Sequence, residues 1–374
     1  MMIRKIKHAL GNNLINIRGW RTNRKIVVIE SDDWGTLRTP SKEVFNQLVS
    51  KYAASMWPET YDKVDNLANK EDLEVLYDTL SSVKDCNGHH AVLTANTIVA
   101  NPDFKKIEES GFKEYYWEPF TDTLNRYPTH SGTFDSWKKG IEMGVFIPQF
   151  HGREHLNVCC WLELLRQDYP GMREAFKCGT WLGNPKGNRR LDIAYNYAND
   201  DELAFVKKAI SEGYEQFTKL FGYKSLTTIC PSYTWDGEIE KHFANLGVLV
   251  MQGGYLQFHP EVNTHSRHTK HYTGERNELG QCYFMRNVHF EPTLFKETDY
   301  VGRLMADINR VFRWHKPVII SSHRLNYIGN LVPKNRDHTL GLLKQLLQAI
   351  VRKYPDVEFM SSDQLALLVR NNHE

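Results

Sequence analysis

Two carboxylates stand side by side at Asp32 and Asp33, directly after the apolar run K-I-V-V-I-E at 25–30. Burying two adjacent acids is costly unless something positive lies beside them. One Asp would serve as a helix N-cap. Two, followed by Trp34-Gly35 before Pro40-Ser41 opens a helix, point to a site. A second polar cluster, His151-Gly152-Arg153-Glu154-His155, follows the run V-F-I-P-Q-F at 145–150. Histidines four apart face the same way when the second lies in a first helical turn and the first just precedes it. Two imidazoles and a carboxylate oxygen suit Zn²⁺ with one position left open for water. In a chain with 16 histidines the H-x-x-x-H spacing alone is weak; the Asp-Asp at another strand end adds weight. Residues 226–230 lead into Pro231-Ser232-Tyr233-Thr234-Trp235-Asp236, and 317–321 into Ser322-His323-Arg324. Polar groups gathered at four strand ends are not what core packing alone produces.

The elements that must position them alternate along the chain. Short apolar strands are expected at 25–30, 91–94, 145–150, 226–230, 248–251, 282–287, 317–321 and 357–360. Helices are expected near 44–52, 71–83, 134–142, 154–166, 201–221, 236–246, 299–314, 336–354 and 362–369. Continuous apolar strands separated by helices imply a parallel sheet covered on both faces. About eight such units favour an α/β barrel, whose chemistry gathers at the C-terminal ends of the strands. The 374 residues are long for one domain but suit a barrel with loop insertions. No internal repeat or linker divides them; the expected organisation is a basic extension at 1–24 and one barrel at 25–374.

Composition narrows the function. With 47 Lys+Arg against 45 Asp+Glu the charge is nearly balanced, which offers no footprint for nucleic acid. Six scattered cysteines without a C-x-x-C pair read as free buried thiols. No run of about 20 apolar residues or signal-type segment is present, so the chain reads as cytoplasmic. Ile3, Ile6, Leu10, Leu14 and Ile17 recur at helical spacing beside basic residues. That pattern allows peripheral contact with an anionic membrane; a helix on the barrel's flank is the favoured reading. Residues 257–280 break the rhythm with His259, His265, His268 and His271 and no apolar face. They read as a solvated loop rather than a second metal site.

The residues at the strand ends resemble the NodB-type polysaccharide deacetylases, carbohydrate esterase family 4, along 25–325. Glu30-Ser31-Asp32-Asp33 stands where the family has Thr-Phe-Asp-Asp, and His151 and His155 match its His-x-x-x-His. Ile229-Cys230-Pro231-Ser232 aligns with Arg-x-Pro-Tyr, and Ser322-His323-Arg324 with Leu-His-Asp. The resemblance implies a distorted (β/α)7-8 barrel. It implies one divalent metal on Asp33, His151 and His155: Zn²⁺ first, with Co²⁺, Ni²⁺ or Mn²⁺ compatible with the same donors. It makes Asp32 the catalytic base and His323 the general acid, with an oxyanion donor among the backbone N–H groups near Ser232 or Tyr233. The expected substrate is an N- or O-acetylated carbohydrate of surface-polysaccharide metabolism.

The chain also departs from the family pattern. The third-motif arginine is Ile229, the Asp after the last His is Arg324, and Met251-Gln252-Gly253-Gly254 stands where the Asp-x-x-x-Trp motif would fall. Arg286 or Arg324 is the expected replacement guanidinium. Trp34, Tyr233 and Trp235 are expected as sugar-stacking walls beside Pro231 and Ser232, with core or rim packing as the alternative for each aromatic. Two rival readings use the same barrel: glycoside hydrolysis by paired carboxylates, and a catalytically degenerate barrel that binds glycan.

Overall fold

The computed structural model describes residues 16–52, 56–57, 61–260 and 267–371. Its centre is one parallel sheet. The strands are β1 (Lys25–Trp34), β2 (Leu93–Ile98), β3 (Phe146–Gly152), β4 (Thr227–Ile229), β5 (Val250–Gly253), β6 (Cys282–Met285), β7 (Val288–His289), β8 (Val318–His323) and β9 (Val357–Met360). The spatial order is β6-β5-β4-β3-β2-β1-β8-β7, with β9 beside the first half of β1.

The two ends of that order are consecutive in the chain. β6 ladders with β5, and β7 with β8. Between them the Arg286 N–H donates to Gly253 O at 2.9 Å and the Asn287 N–H to Ile319 O at 3.0 Å. The run 282–289 therefore closes the sheet on itself, bending at Arg286. This is the distorted (β/α) barrel expected from the alternation, in a single domain.

The period-2 alternation of β1 sorts its side chains. Val27 and Ile29 face the surrounding helices, whereas Ile26 and Val28 pack with Val250, Phe284 and Ile319. Leu365, Ala366 and Val369 of the helix Ser362–Asn371 cover that inner cluster. Glu30 and Asp32 continue the inner face toward the C-terminal end. Parallel register then sets Glu30 beside Ser321 and Asp32 beside His323.

Several strands run further than their apolar stretches. β1 continues through Asp32 and Asp33, β3 through His151, and β8 through Ser322 and His323. Ladder bonds come from the backbone, so polar residues end a strand only if their side chains lack partners, and these have them. The helix expected from 154 begins instead at Val158, with Asn157 accepting from the Cys160 N–H. His155 thus lies in the strand-to-helix connection and not in a first helical turn. Gly152, at φ +144, turns the chain there.

The expected loop at 257–280 contains a short antiparallel hairpin, 256–258 against 268–270. His271 is buried against Tyr283, with ring centroids 3.7 Å apart, and meets Gln257 Oε1 through Nε2 at 2.6 Å. His265 and the helix expected before residue 16 lie outside the described residues. All six cysteines are free, but only Cys160, Cys230 and Cys282 are buried. Among the described residues no helix is long and apolar enough to cross a membrane.

Candidate active site and metal centre

Asp33, His151 and His155 meet in one buried group whose ligand atoms all lie within 4.8 Å of one another. Asp33 Oδ1 is 3.3 Å from Nε2 of each histidine. A bulge makes this possible. The β1–β2 register shifts between Ser31 and Trp34, and Asp33 takes φ +72, a left-handed conformation sparsely used outside glycine. The bulge turns Asp33 toward β3, while Asp32 stays on the inner face.

The donor set fits a cation. His151 Nδ1 lies 2.8 Å from Ile229 O and is engaged there, so Nε2 is the ring nitrogen that faces Asp33. Burial lowers the His155 pKa to about 4, against the pull of the Asp33 charge, leaving the ring neutral at neutral pH. Burial also opposes the Asp33 charge, but His155, His151 and Arg38 outweigh it and hold the carboxyl well below its usual range. Lone pairs of a neutral imidazole and a carboxylate pointing at one another are the arrangement a metal ion satisfies.

Asp32 is held by a different set. Arg286 NH1 is 2.6 Å from its Oδ2 and NH2 is 2.6 Å from Oδ1, a two-pronged clamp. Arg286 Nε donates to Glu30 Oε2 at 2.8 Å, and Asn96 Nδ2 donates to Asp32 Oδ1 at 2.8 Å. Burial raises the Asp32 pKa, but Arg286 overrides it and holds the value at about 2. Glu30 has the same partner with more burial than compensation, so its pKa is raised.

On the neighbouring strand, His323 Nε2 is 3.8 Å from Asp32 Oδ2. Its Nδ1 meets Glu291 Oε1 at 2.6 Å, and Asn326 Nδ2 holds the other Glu291 oxygen at 2.7 Å. Burial disfavours the imidazolium, but Glu291 and the two aspartates outweigh it and raise the His323 pKa to about 9.

A cavity of about 160 Å³ opens over this constellation, bounded by the metal group, Asp32, His323, Tyr61, Ser232 and Tyr233. Ser232 and Tyr233 have φ of 54 and 56. Two consecutive non-glycine residues in that region mark a strained turn of the kind found at functional sites. The Tyr233 N–H donates to Cys230 O at 2.9 Å, so it is occupied within the turn.

Three expectations are corrected. Trp34 is completely buried, its Nε1 donating to Ser31 Oγ at 2.9 Å, with Phe146 and Tyr327 against its ring. Trp235 is equally buried, with Nε1 on Glu240. Neither ring can meet a sugar, because both complete the core. Arg324 is fully buried beneath the site, held by Asp65 and Thr36 O, and does not reach Asp32. Pro231 is buried at the base of the 231–233 turn.

The sequence reading missed Glu291, Arg38 and Tyr61. Glu291 lies two residues past β7, a strand-end position that could have flagged it. Tyr61 and Arg38 fall in connections without periodicity and carry no such signal.

No family model and no curated protein sequence matches the chain. Solved structures do. One is a 4-alpha-glucanotransferase of Thermococcus litoralis (9% identity, TM-score 0.46, 92% of this chain), of which the chain spans only 40%. Another is the allantoinase PuuE (11% identity, TM-score 0.45), covering 93% of this chain and 91% of that one. A third is the peptidoglycan deacetylase PdaC of Bacillus subtilis (8% identity, TM-score 0.36), covering 94% of each.

Proposed function

We propose that this chain is a metal-dependent hydrolase that removes acetyl groups from N-acetylated or O-acetylated carbohydrate, in surface-polysaccharide metabolism. One observation carries the reading: three metal-ligand atoms face a single point beside a carboxylate held ionised and an imidazole held protonated. Asp33, His151 and His155 are the ligands, and Zn²⁺ is the favoured ion. A bound divalent cation supplies Lewis acidity, lowering the pKa of water from 15.7 toward about 7 and polarising a carbonyl.

Asp32 then takes the proton of the attacking water. At a pKa of about 2 it stays ionised, and so open to that proton, at every working pH. The water oxygen bonds to the acetyl carbon. His323, loaded with a proton up to about pH 9, delivers it to the leaving nitrogen or oxygen as its bond to the acetyl carbon breaks and acetate departs. With the Tyr233 N–H engaged on Cys230, the Ser232 N–H is the backbone donor for the oxyanion. Tyr233, half-buried at the cavity wall, is the sugar-facing aromatic. The two-pronged clamp of Arg286 on Asp32 supports it as the guanidinium that the third motif lacks, and so favours catalysis over a degenerate barrel.

The test uses metal-free protein titrated with Zn²⁺ or Co²⁺ and assayed on acetylated glucosamine oligomers. The expected outcome is one metal per chain, acetate release and no new reducing ends. Reducing ends without acetate would establish glycoside hydrolysis instead. One bound metal without turnover on any acetylated glycan would establish a binding protein.

A further inference from the structure

We infer that Tyr61 is a positioning residue of the metal centre, and that its phenol makes Asp33 a ligand through one oxygen only. This rests on the metal reading above. The two Asp33 oxygens have separate partners. Oδ1 faces both histidines at 3.3 Å, whereas Oδ2 accepts the Tyr61 hydroxyl hydrogen. Arg38 NH2 lies 3.9 Å from the same Oδ2.

A carboxylate free at both oxygens can bind a cation through one or both; with Oδ2 hydrogen-bonded, Oδ1 alone is left for the ion. A partner that orients a ligand in this way tunes the metal as well as the geometry.

Tyr61 is itself held by a relay running back into the barrel. The Arg38 guanidinium lies over its ring, 4.6 Å from the centroid, and over Trp181 at 5.1 Å. Arg38 meets Asp62 at 3.4 Å and Asp65 at 3.6 Å. Asp65 is anchored in turn by Arg324 at 2.7 Å. This gives Arg324 a role in place of the catalytic one expected of it: it fixes the segment that presents Tyr61. The Tyr61 ring also meets the His323 ring edge-on, with centroids 5.5 Å apart. One side chain therefore spans from the metal ligand to the acid.

Tyr61→Phe keeps the ring and removes the hydrogen bond. Wild type and variant, each metal-free, are titrated with Zn²⁺ against a chelating indicator and loaded with Co²⁺ for visible spectroscopy. The expected result is about 10- to 100-fold weaker Zn²⁺ binding in the variant. Its Co²⁺ bands should also move, as Asp33 gains freedom to bind through both oxygens. Identical affinity and an identical Co²⁺ spectrum would overturn the inference while leaving the metal centre intact. Wild type that binds no metal would overturn both. Far-UV circular dichroism checks the variant's fold. If Tyr61→Phe fails to fold, 3-fluorotyrosine at position 61 replaces it: the fluorine resonance should shift when Zn²⁺ is added, and an unmoved resonance would refute the role.

Discussion

Arg286 grips Asp32 with both terminal nitrogens, each 2.6 Å from a different carboxylate oxygen, across 254 residues of sequence. Its third nitrogen holds Glu30. One guanidinium thus pairs with two buried acids at the bend where the barrel closes, holding Asp32 ionised while Glu30 stays undercompensated. Removing one partner of a buried pair leaves the other charge uncompensated, at a cost of about 3–5 kcal/mol. Arg286→Met is expected to lose that much stability in denaturant unfolding at neutral pH. A loss below about 1 kcal/mol would mean that Glu30 and Asp32 find other partners.

Asp32→Asn should lower acetate release by about 10²- to 10⁴-fold, the range for one positioned acid or base. Metal affinity should be nearly unchanged, because Asp33 and the histidines keep their geometry. Steady-state kinetics beside a metal titration separates the two effects. Turnover at the wild-type rate would remove Asp32 from the mechanism.

The His323–Glu291 contact makes a pH prediction. The folded pKa of about 9 lies above the value of about 6.5 for an unperturbed imidazole, so the charged form is favoured by folding. Its stabilising contribution is fully present below about pH 6.5 and is lost as pH rises through about 9. As an acid, His323 is loaded over the same range, so kcat should fall on the alkaline side near pH 9. Glu291→Gln removes the largest influence raising that pKa and should move the fall to lower pH. An alkaline limb that stays in place would show that His323 is not the group titrating.

Trp34 separates packing from binding. Trp34→Ala should cost about 3–5 kcal/mol in thermal or denaturant unfolding, as for other large buried side chains. Trp34→Phe retains most of the packing and should leave KM for an acetylated oligomer unchanged. A large rise in KM for that variant would return Trp34 to the substrate site.

Chelation offers an independent check on the metal centre. A ligand that binds only the folded state stabilises it by about 2.7 kcal/mol at a free concentration 100 times its Kd. Adding Zn²⁺ to metal-free protein should raise the melting temperature, and His155→Ala should abolish most of the rise. Equal shifts in both proteins would place the ion elsewhere.

The sequence by itself determined the alternation, and with it the parallel barrel and the strand ends where polar residues collect. It also paired Asp32-Asp33 with His151 and His155, because the H-x-x-x-H spacing and a carboxylate pair at a strand end are local patterns. It stopped strands too early at Glu30, Phe150 and Ser321, since a polar side chain looks like an end until its partner is known. It also started one helix too early, at Glu154. What only the tertiary structure decided depends on contacts between distant segments. Barrel closure brings Arg286 onto Asp32 and Glu291 onto His323. The bulge at Asp33 and the left-handed turn at Ser232-Tyr233 are backbone conformations that no hydrophobic periodicity records. Trp34, Trp235 and Arg324 stand one or two residues from site residues, yet they point into the core. The side a residue faces is set by pleat and bulge, and its partner by the closing of the barrel; neither is written in its neighbours along the chain.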